Sequence, residues 1–114
     1  MANAFKSKTD TGVGTSPATI YTGPSATETT IIGLTVANIH TSQIEVDVQL
    51  DASTRTSGAE DSVYLIKNAP IPTGSSLVVV GGDQKVVVEP GDTIKVTSNV
   101  AASADVAMSI LEIS

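Results

Sequence analysis

The chain has 114 residues, of which 40% are apolar, and a formal net charge of −6 from 12 acidic and 6 basic residues. Its bases are scattered, and an acidic domain repels phosphate backbones, so the charge argues against a nucleic-acid partner. The three aromatics, Phe5, Tyr21 and Tyr64, are too few for stacking platforms, and the absence of Cys removes disulfides and thiolate chemistry. One domain of this length buries roughly two thirds of its unfolded surface, so it needs neither a disulfide nor a metal to fold. The missing disulfides lean towards assembly in a reducing cytoplasm. No window approaches the roughly 18 apolar residues of a membrane helix, and the first ten residues carry no apolar signal-peptide core.

In chain order, residues 1–17 are polar and punctuated by Gly12, Gly14 and Pro17. They read either as an extended arm or as an edge strand around Phe5, ahead of a single domain over 18–114. A short strand over 18–22 stops at Gly23-Pro24, and a longer one follows over 28–38. There Ile32, Leu34 and Val36 are expected on one face, with Ile31, Gly33, Thr35 and Ala37 on the other. Residues 43–51 alternate most cleanly, with Ile44, Val46, Val48 and Leu50 against Glu45, Asp47, Gln49 and Asp51. That period of two predicts a half-buried strand with one wet, acidic face. Residues 52–60 contain no large apolar side chain and read as an exposed loop carrying Arg55, the sole arginine.

Four apolar runs then crowd into 61–98, separated by three compact turns. In the first turn Pro72 sets φ and Gly74 closes it; the second is Gly81-Gly82-Asp83. The third, Glu89-Pro90-Gly91-Asp92, has the Pro and Gly spacing of a type II turn. Loops this short require antiparallel strands. A closing strand over 104–113 sets Val106, Met108 and Ile110 against Ala107, Ser109, Leu111 and Ile113. No segment combines helical caps with a 3.6-residue period. The expectation is an all-β, antiparallel sandwich of eight to nine strands without significant helix, jelly-roll-like in topology, with an immunoglobulin-like arrangement second.

No constellation of residues specifies a reaction. His40 is the one histidine and sits in a turn, far short of the ligands zinc needs. There is no Gly-x-Ser-x-Gly elbow, and the grouped carboxylates lack the aromatic walls of a sugar cleft. A weak calcium site near Asp51, Glu60 and Asp61 would follow no calcium-loop spacing. The glycines at 81–82 lead into a strand, whereas a phosphate cradle leads into a helix. The expectation is therefore a non-enzyme with no cofactor and no metal.

One feature calls for a partner. Leu77, Val78, Val80, Val86, Val87 and Val88 make a valine-rich pair of runs that is apolar on both faces. Read as a paired hairpin over 77–88, it exposes valines to water unless another subunit covers them, so these six are candidate interface residues.

The segments Met1-Ala2-Asn3-Ala4-Phe5-Lys6, Thr19-Ile20-Tyr21-Thr22-Gly23-Pro24, Ile32-Gly33-Leu34-Thr35-Val36-Ala37-Asn38 and Lys67-Asn68-Ala69-Pro70-Ile71-Pro72-Thr73-Gly74-Ser75-Ser76-Leu77, with Glu89-Pro90-Gly91-Asp92-Thr93-Ile94 and Ser109-Ile110-Leu111-Glu112-Ile113, carry a resemblance. In strand and turn texture the chain resembles small virion structural proteins of tailed bacteriophages, especially marine cyanophages. The resemblance implies a capsid decoration or cement protein of the virion, assembled in the host cytoplasm. Its implied partners are further copies of itself, with a trimer favoured, and the major capsid protein, with no nucleic acid and no membrane. Phe5, Lys6 and Lys8 would then touch the shell. A tail, neck or baseplate module is the alternative within the virion, and a carbohydrate- or receptor-binding sandwich the alternative outside that class.

Overall fold

The computed structural model describes residues 3–114; Met1 and Ala2 lie outside the described residues. All regular structure among them is strand: β1 (Asn3–Val13), β2 (Ala18–Thr22), β3 (Glu28–Asn38), β4 (Ile44–Asp51), β5 (Val63–Ile71), β6 (Ser76–Val80), β7 (Val86–Val88), β8 (Thr93–Ser98) and β9 (Ala104–Ile113). Two antiparallel sheets form. The first has the order β1-β9-β3-β6, with β7 also on β3, and the second the order β2-β8-β4-β5. The fold expected from the alternating apolar pattern is the one observed, a two-sheet antiparallel β-structure without helix.

The core lies between the sheets. Leu34 and Val36 of β3 and Met108 and Ile110 of β9 meet Ile44, Val46 and Val48 of β4 and Ile94 and Val96 of β8, all buried. Each such side chain contributes about 1.5–3 kcal/mol relative to exposure. The long strand β3 departs from simple alternation. A bulge between Ile31 and Gly33 puts Ile31 on the same inward face as Leu34, and Ile32, expected with Leu34 and Val36, is only half-buried. An extra residue in one strand inverts the faces beyond it, and sequence periodicity does not register it.

Residues 1–17 contain an edge strand, not a free arm, since β1 pairs with β9 from Asn3 to Asp10 and again at Val13. The pairing shifts register before Val13, where Gly12 takes φ 67°. Val13 is the β1 side chain that enters the core.

The stretch 63–98 differs most from expectation. β6 and β7 do not pair with each other: β6 runs beside Leu34–Ala37 and β7 beside Thr29–Ile31. They are two halves of one edge strand, and residues 81–85 loop out between them opposite the β3 bulge. The turn Gly81–Gln84 closes with a hydrogen bond of 3.2 Å but does not reverse the chain. The other two turns are arches from one sheet to the other. Ser75 N–H donates to the Pro72 carbonyl at 3.1 Å with Gly74 at φ 76°, so Pro72 opens that turn instead of taking its first central position. Asp92 N–H donates to the Glu89 carbonyl at 3.0 Å with Gly91 at φ 90°, the geometry that Pro90-Gly91 calls for.

Candidate functional site

The outer face of the first sheet is the outlying surface of the molecule. Residues directly opposite in an antiparallel ladder point to the same side, so the registers define rows across it. One row is Phe5, Leu111, Thr30 and Val87. The next is Ser7, Ser109 and Gly33, and the one after is Thr9, Ala107, Thr35 and Val78. Phe5 is 78% exposed, Val78 63% and Val87 56%. The rows carry no charge; Glu28 and Asp105 stand at the two ends of the face. Large apolar groups occupy its lateral edges, and apart from Leu111 short side chains floor its middle. An open depression of about 490 Å³ lies at the Asp105 end, lined by residues 9–11 of β1, Thr35 and Ala37 of β3 and residues 105–107 of β9.

The outer face of the second sheet is its opposite in character. Glu45, Asp47, Gln49 and Asp51 alternate there with the buried Ile44, Val46 and Val48 of β4, as the period of two predicts. Lysines answer the acids: Lys95 Nζ lies 3.0 Å from Asp51 Oδ2 and Lys67 Nζ 3.5 Å from Asp47 Oδ2. Lys67 also sits 4.4 Å from the centroid of the Tyr64 ring. This face is solvated and paired with itself.

The six candidate interface residues separate. Val80 and Val88 are core, and Leu77 and Val86 pack half-buried against it, because each lies opposite an inward residue of β3. A register shift at Val79 turns Val78 outward, and Val87 faces out with it. So of the six candidates two, Val78 and Val87, stand on the outer face. Phe5 joins them there, a grouping that periodicity misses because β1 and β7 lie on opposite edges of a sheet ordered by the tertiary fold.

Lys6 and Lys8 point to the inner side of β1. Lys6 Nζ lies 2.7 Å from Glu112 Oε1, and Lys8 Nζ stands 5.9 Å from the Tyr21 ring centroid. Around Glu112 is a buried polar cluster that the sequence did not flag. Tyr21 Oη donates to Glu112 Oε2 at 2.5 Å and lies 2.9 Å from Thr29 Oγ1, joining β2 of one sheet to β9 and β3 of the other. The Lys6 ammonium and the Tyr21 hydroxyl hold the Glu112 carboxyl below its ordinary range. Burial, helped by Glu112, pushes the Tyr21 hydroxyl up to about 12. Glu112 was legible only as a polar break between Leu111 and Ile113.

Arg55 corrects the expectation of an exposed loop side chain. Its guanidinium forks onto Asp92, with Nε 2.7 Å from Oδ1 and Nη2 3.1 Å from Oδ2, and Nη1 reaches Glu89 Oε2 at 3.0 Å. Asp92 is fully buried, and it raises the affinity of Arg55 for its proton. Thr54 Oγ1 donates to the Gly91 carbonyl at 2.8 Å and Thr56 N–H to the Pro90 carbonyl at 3.0 Å, so the loop is stitched onto the turn before β8. A side chain at Gly91 would meet the Thr54 carbonyl oxygen at 2.4 Å.

The other candidates remain separate side chains. His40 donates its backbone N–H to Asn38 Oδ1 at 2.7 Å within the turn after β3. Asp51 spends its oxygens on Ser53, Ser62 and Lys95, which hold its carboxyl well below the usual carboxylate range, so the calcium site weighed from the sequence is not assembled. Among the described residues no group of three His, Cys, Asp or Glu is placed to hold a metal ion. No helix among them is long and apolar enough to cross a membrane.

No family model and no curated protein matches the chain. Among solved structures, it is similar to a chain from Bacillus endospore appendages, described as a novel family of disulfide-linked pili. The two share 18% identity and a TM-score of 0.50, covering 96% of this chain and 85% of that one. At that identity the similarity is one of fold.

Proposed function

We propose that the chain is a non-enzymatic structural subunit of a larger assembly, and specifically a decoration protein on the shell of a tailed-phage virion. The observation that carries the structural reading is the outer face of the first sheet, whose central rows carry no charge and which exposes Phe5, Val78 and Val87 on a molecule of net charge −6. Exposed apolar groups on one sheet face mark a surface meant to be covered. The virion assignment comes from the sequence resemblance, and the shell's major protein is the second partner it implies. We read the topology as a jelly roll: with β6 and β7 counted as one strand, the orders β1-β9-β3-β6/β7 and β2-β8-β4-β5 fit a double Greek key. Repeated weak contacts to a symmetric shell give such a module avidity without a deep binding site.

Locating the protein in a map of the intact particle tests this reading. Density on the shell surface supports decoration. Density on the tail, neck or baseplate moves the role within the virion, and absence from purified particles overturns it. A second reading, a subunit of an appendage fibre, is favoured by the Bacillus pilus chain of like fold. The chain has no Cys, so a fibre of this protein would hold together without disulfide links. Electron microscopy of the purified chain separates the two readings, filaments supporting the fibre and discrete particles the decoration module.

A further inference from the structure

We infer that the outer face of the first sheet is the seat of a second copy of this chain, paired about a two-fold axis that runs along the strands between β9 and β3. The inference rests on the reading of the chain as an assembly subunit and says which surface makes the assembly.

The rows make the face self-complementary. A two-fold axis between β9 and β3 reverses each row, so the row Phe5, Leu111, Thr30, Val87 meets Val87, Thr30, Leu111, Phe5 of the other copy. Phe5 then lies over Val87 twice, once at each edge. Thr9 likewise meets Val78, and Ala107 meets Thr35. Apart from Leu111, which meets Thr30, short side chains along the middle of the face let the two sheets approach while the large groups close the flanks. Sheets that pack face to face stay within about 30° of alignment, which keeps these rows in register near the axis. Three-fold closure would need two different complementary patches, and this face supplies one patch that fits itself.

Charge favours this face over that of the second sheet for the meeting of two copies. Each copy carries −6, so two copies meet best where carboxylates are fewest. The outer face of the second sheet would set Glu45 and Asp47 against a like surface, whereas the central rows of the first sheet carry no charge and Glu28 and Asp105 stand only at its ends. The size also fits. β9 has 10 residues and the sheet is four strands wide, so the whole face, its Glu28 and Asp105 ends included, measures about 30 by 20 Å at ordinary strand spacing. That is on the order of 600 Å² per copy, and the pair reaches the roughly 1,200 Å² at which specific interfaces begin.

Edge pairing is the other route by which β-proteins join, and both edges of this sheet are blunted against it. β1 turns Lys6, Lys8 and Asp10 inward, and the opposite edge is broken between β6 and β7 by the loop 81–85. Inward charges and bulges are devices that discourage strand addition. Assembly is therefore directed onto the face.

Light scattering on the purified full chain tests the inference, with circular dichroism and melting temperature as folding controls. Wild type is expected to be a dimer at micromolar concentration. Val87→Lys and Phe5→Lys should each yield folded monomers, because both side chains are exposed in the single copy. The double variant F5K/V87E should recover the dimer, since the axis brings the new lysine of one copy to the new glutamate of the other. Glu45→Lys, on the second sheet, should leave it intact. A wild-type monomer, a trimer, a dimer that survives both single lysine variants, or a double variant that stays monomeric overturns the inference. Its failure is separable from that of the proposed function: a monomer that still coats particles removes only the pairing, and a two-fold dimer absent from virions removes only the role.

Discussion

Glu112 is one acid among 12, yet its place decides what it does. On β9 it alternates inward with Met108 and Ile110, where a lone carboxylate would be costly to bury. Lys6 and Tyr21 compensate, and because they favour the charged form they lower its proton affinity. The sign for stability follows. A carboxyl whose folded-state pKa lies below its unfolded value of about 4.3 stabilises the fold fully above that pH and loses the contribution as the pH falls through the folded value. The melting temperature should therefore drop on acidification below about pH 4, with Asp51 adding to the same slope. Glu112→Gln should lower the melting temperature at pH 7 and flatten part of the acid slope. An unchanged slope would show that the cluster does not titrate with folding. None of this was visible in the sequence, because Tyr21 and Glu112 are 91 positions apart and meet only when the sheets close.

Among the elements, the loop after β4 illustrates how a polar segment becomes part of the frame. Arg55 was legible as the sole arginine, but its partner was not, since Asp92 reads as the last residue of a Pro-Gly turn. The fold brings turn and loop together, and the planar guanidinium satisfies both oxygens of a buried carboxylate. Removing the arginine leaves that carboxylate unpaired, which is costlier than losing an exposed pair. Arg55→Ala should lower the melting temperature clearly, and Arg55→Lys by less, since one charged donor remains. Lys67→Ala, which removes an exposed pair at 3.5 Å, should change stability by no more than about 1 kcal/mol. Equal effects of Arg55→Ala and Lys67→Ala in thermal melts would contradict this account of the loop. The same scale explains the valines. Their outward or inward direction is set by the shift at Val79 and by the β3 bulge, and a local pattern carries no signal for either.

At the scale of the molecule, only β4 and β5 are both consecutive in sequence and hydrogen-bonded to each other. Every other pairing joins strands distant along the chain, up to β1 with β9. Such a topology must close long loops before any pairing stabilises it, and loop closure is slow. Stopped-flow refolding should therefore fall in the millisecond-to-second range typical of all-β sandwiches, and sub-millisecond folding would contradict the topology's dominance.

By itself the sequence determined the strands and their turns. Alternation needs only neighbours two apart, and Gly and Pro punctuate wherever they stand, so the all-β class, the acidic face of β4 and the Pro90-Gly91 turn were all readable. Which strands lie side by side was decided by the tertiary structure alone. Short turns constrain direction but not whether the chain folds back beside itself or arches to the other sheet, and the closing core selects the arch. That choice turned an expected hairpin into one interrupted edge strand, placed Phe5 in a row with Val87, and so created the face with uncharged central rows on which the proposed assembly rests.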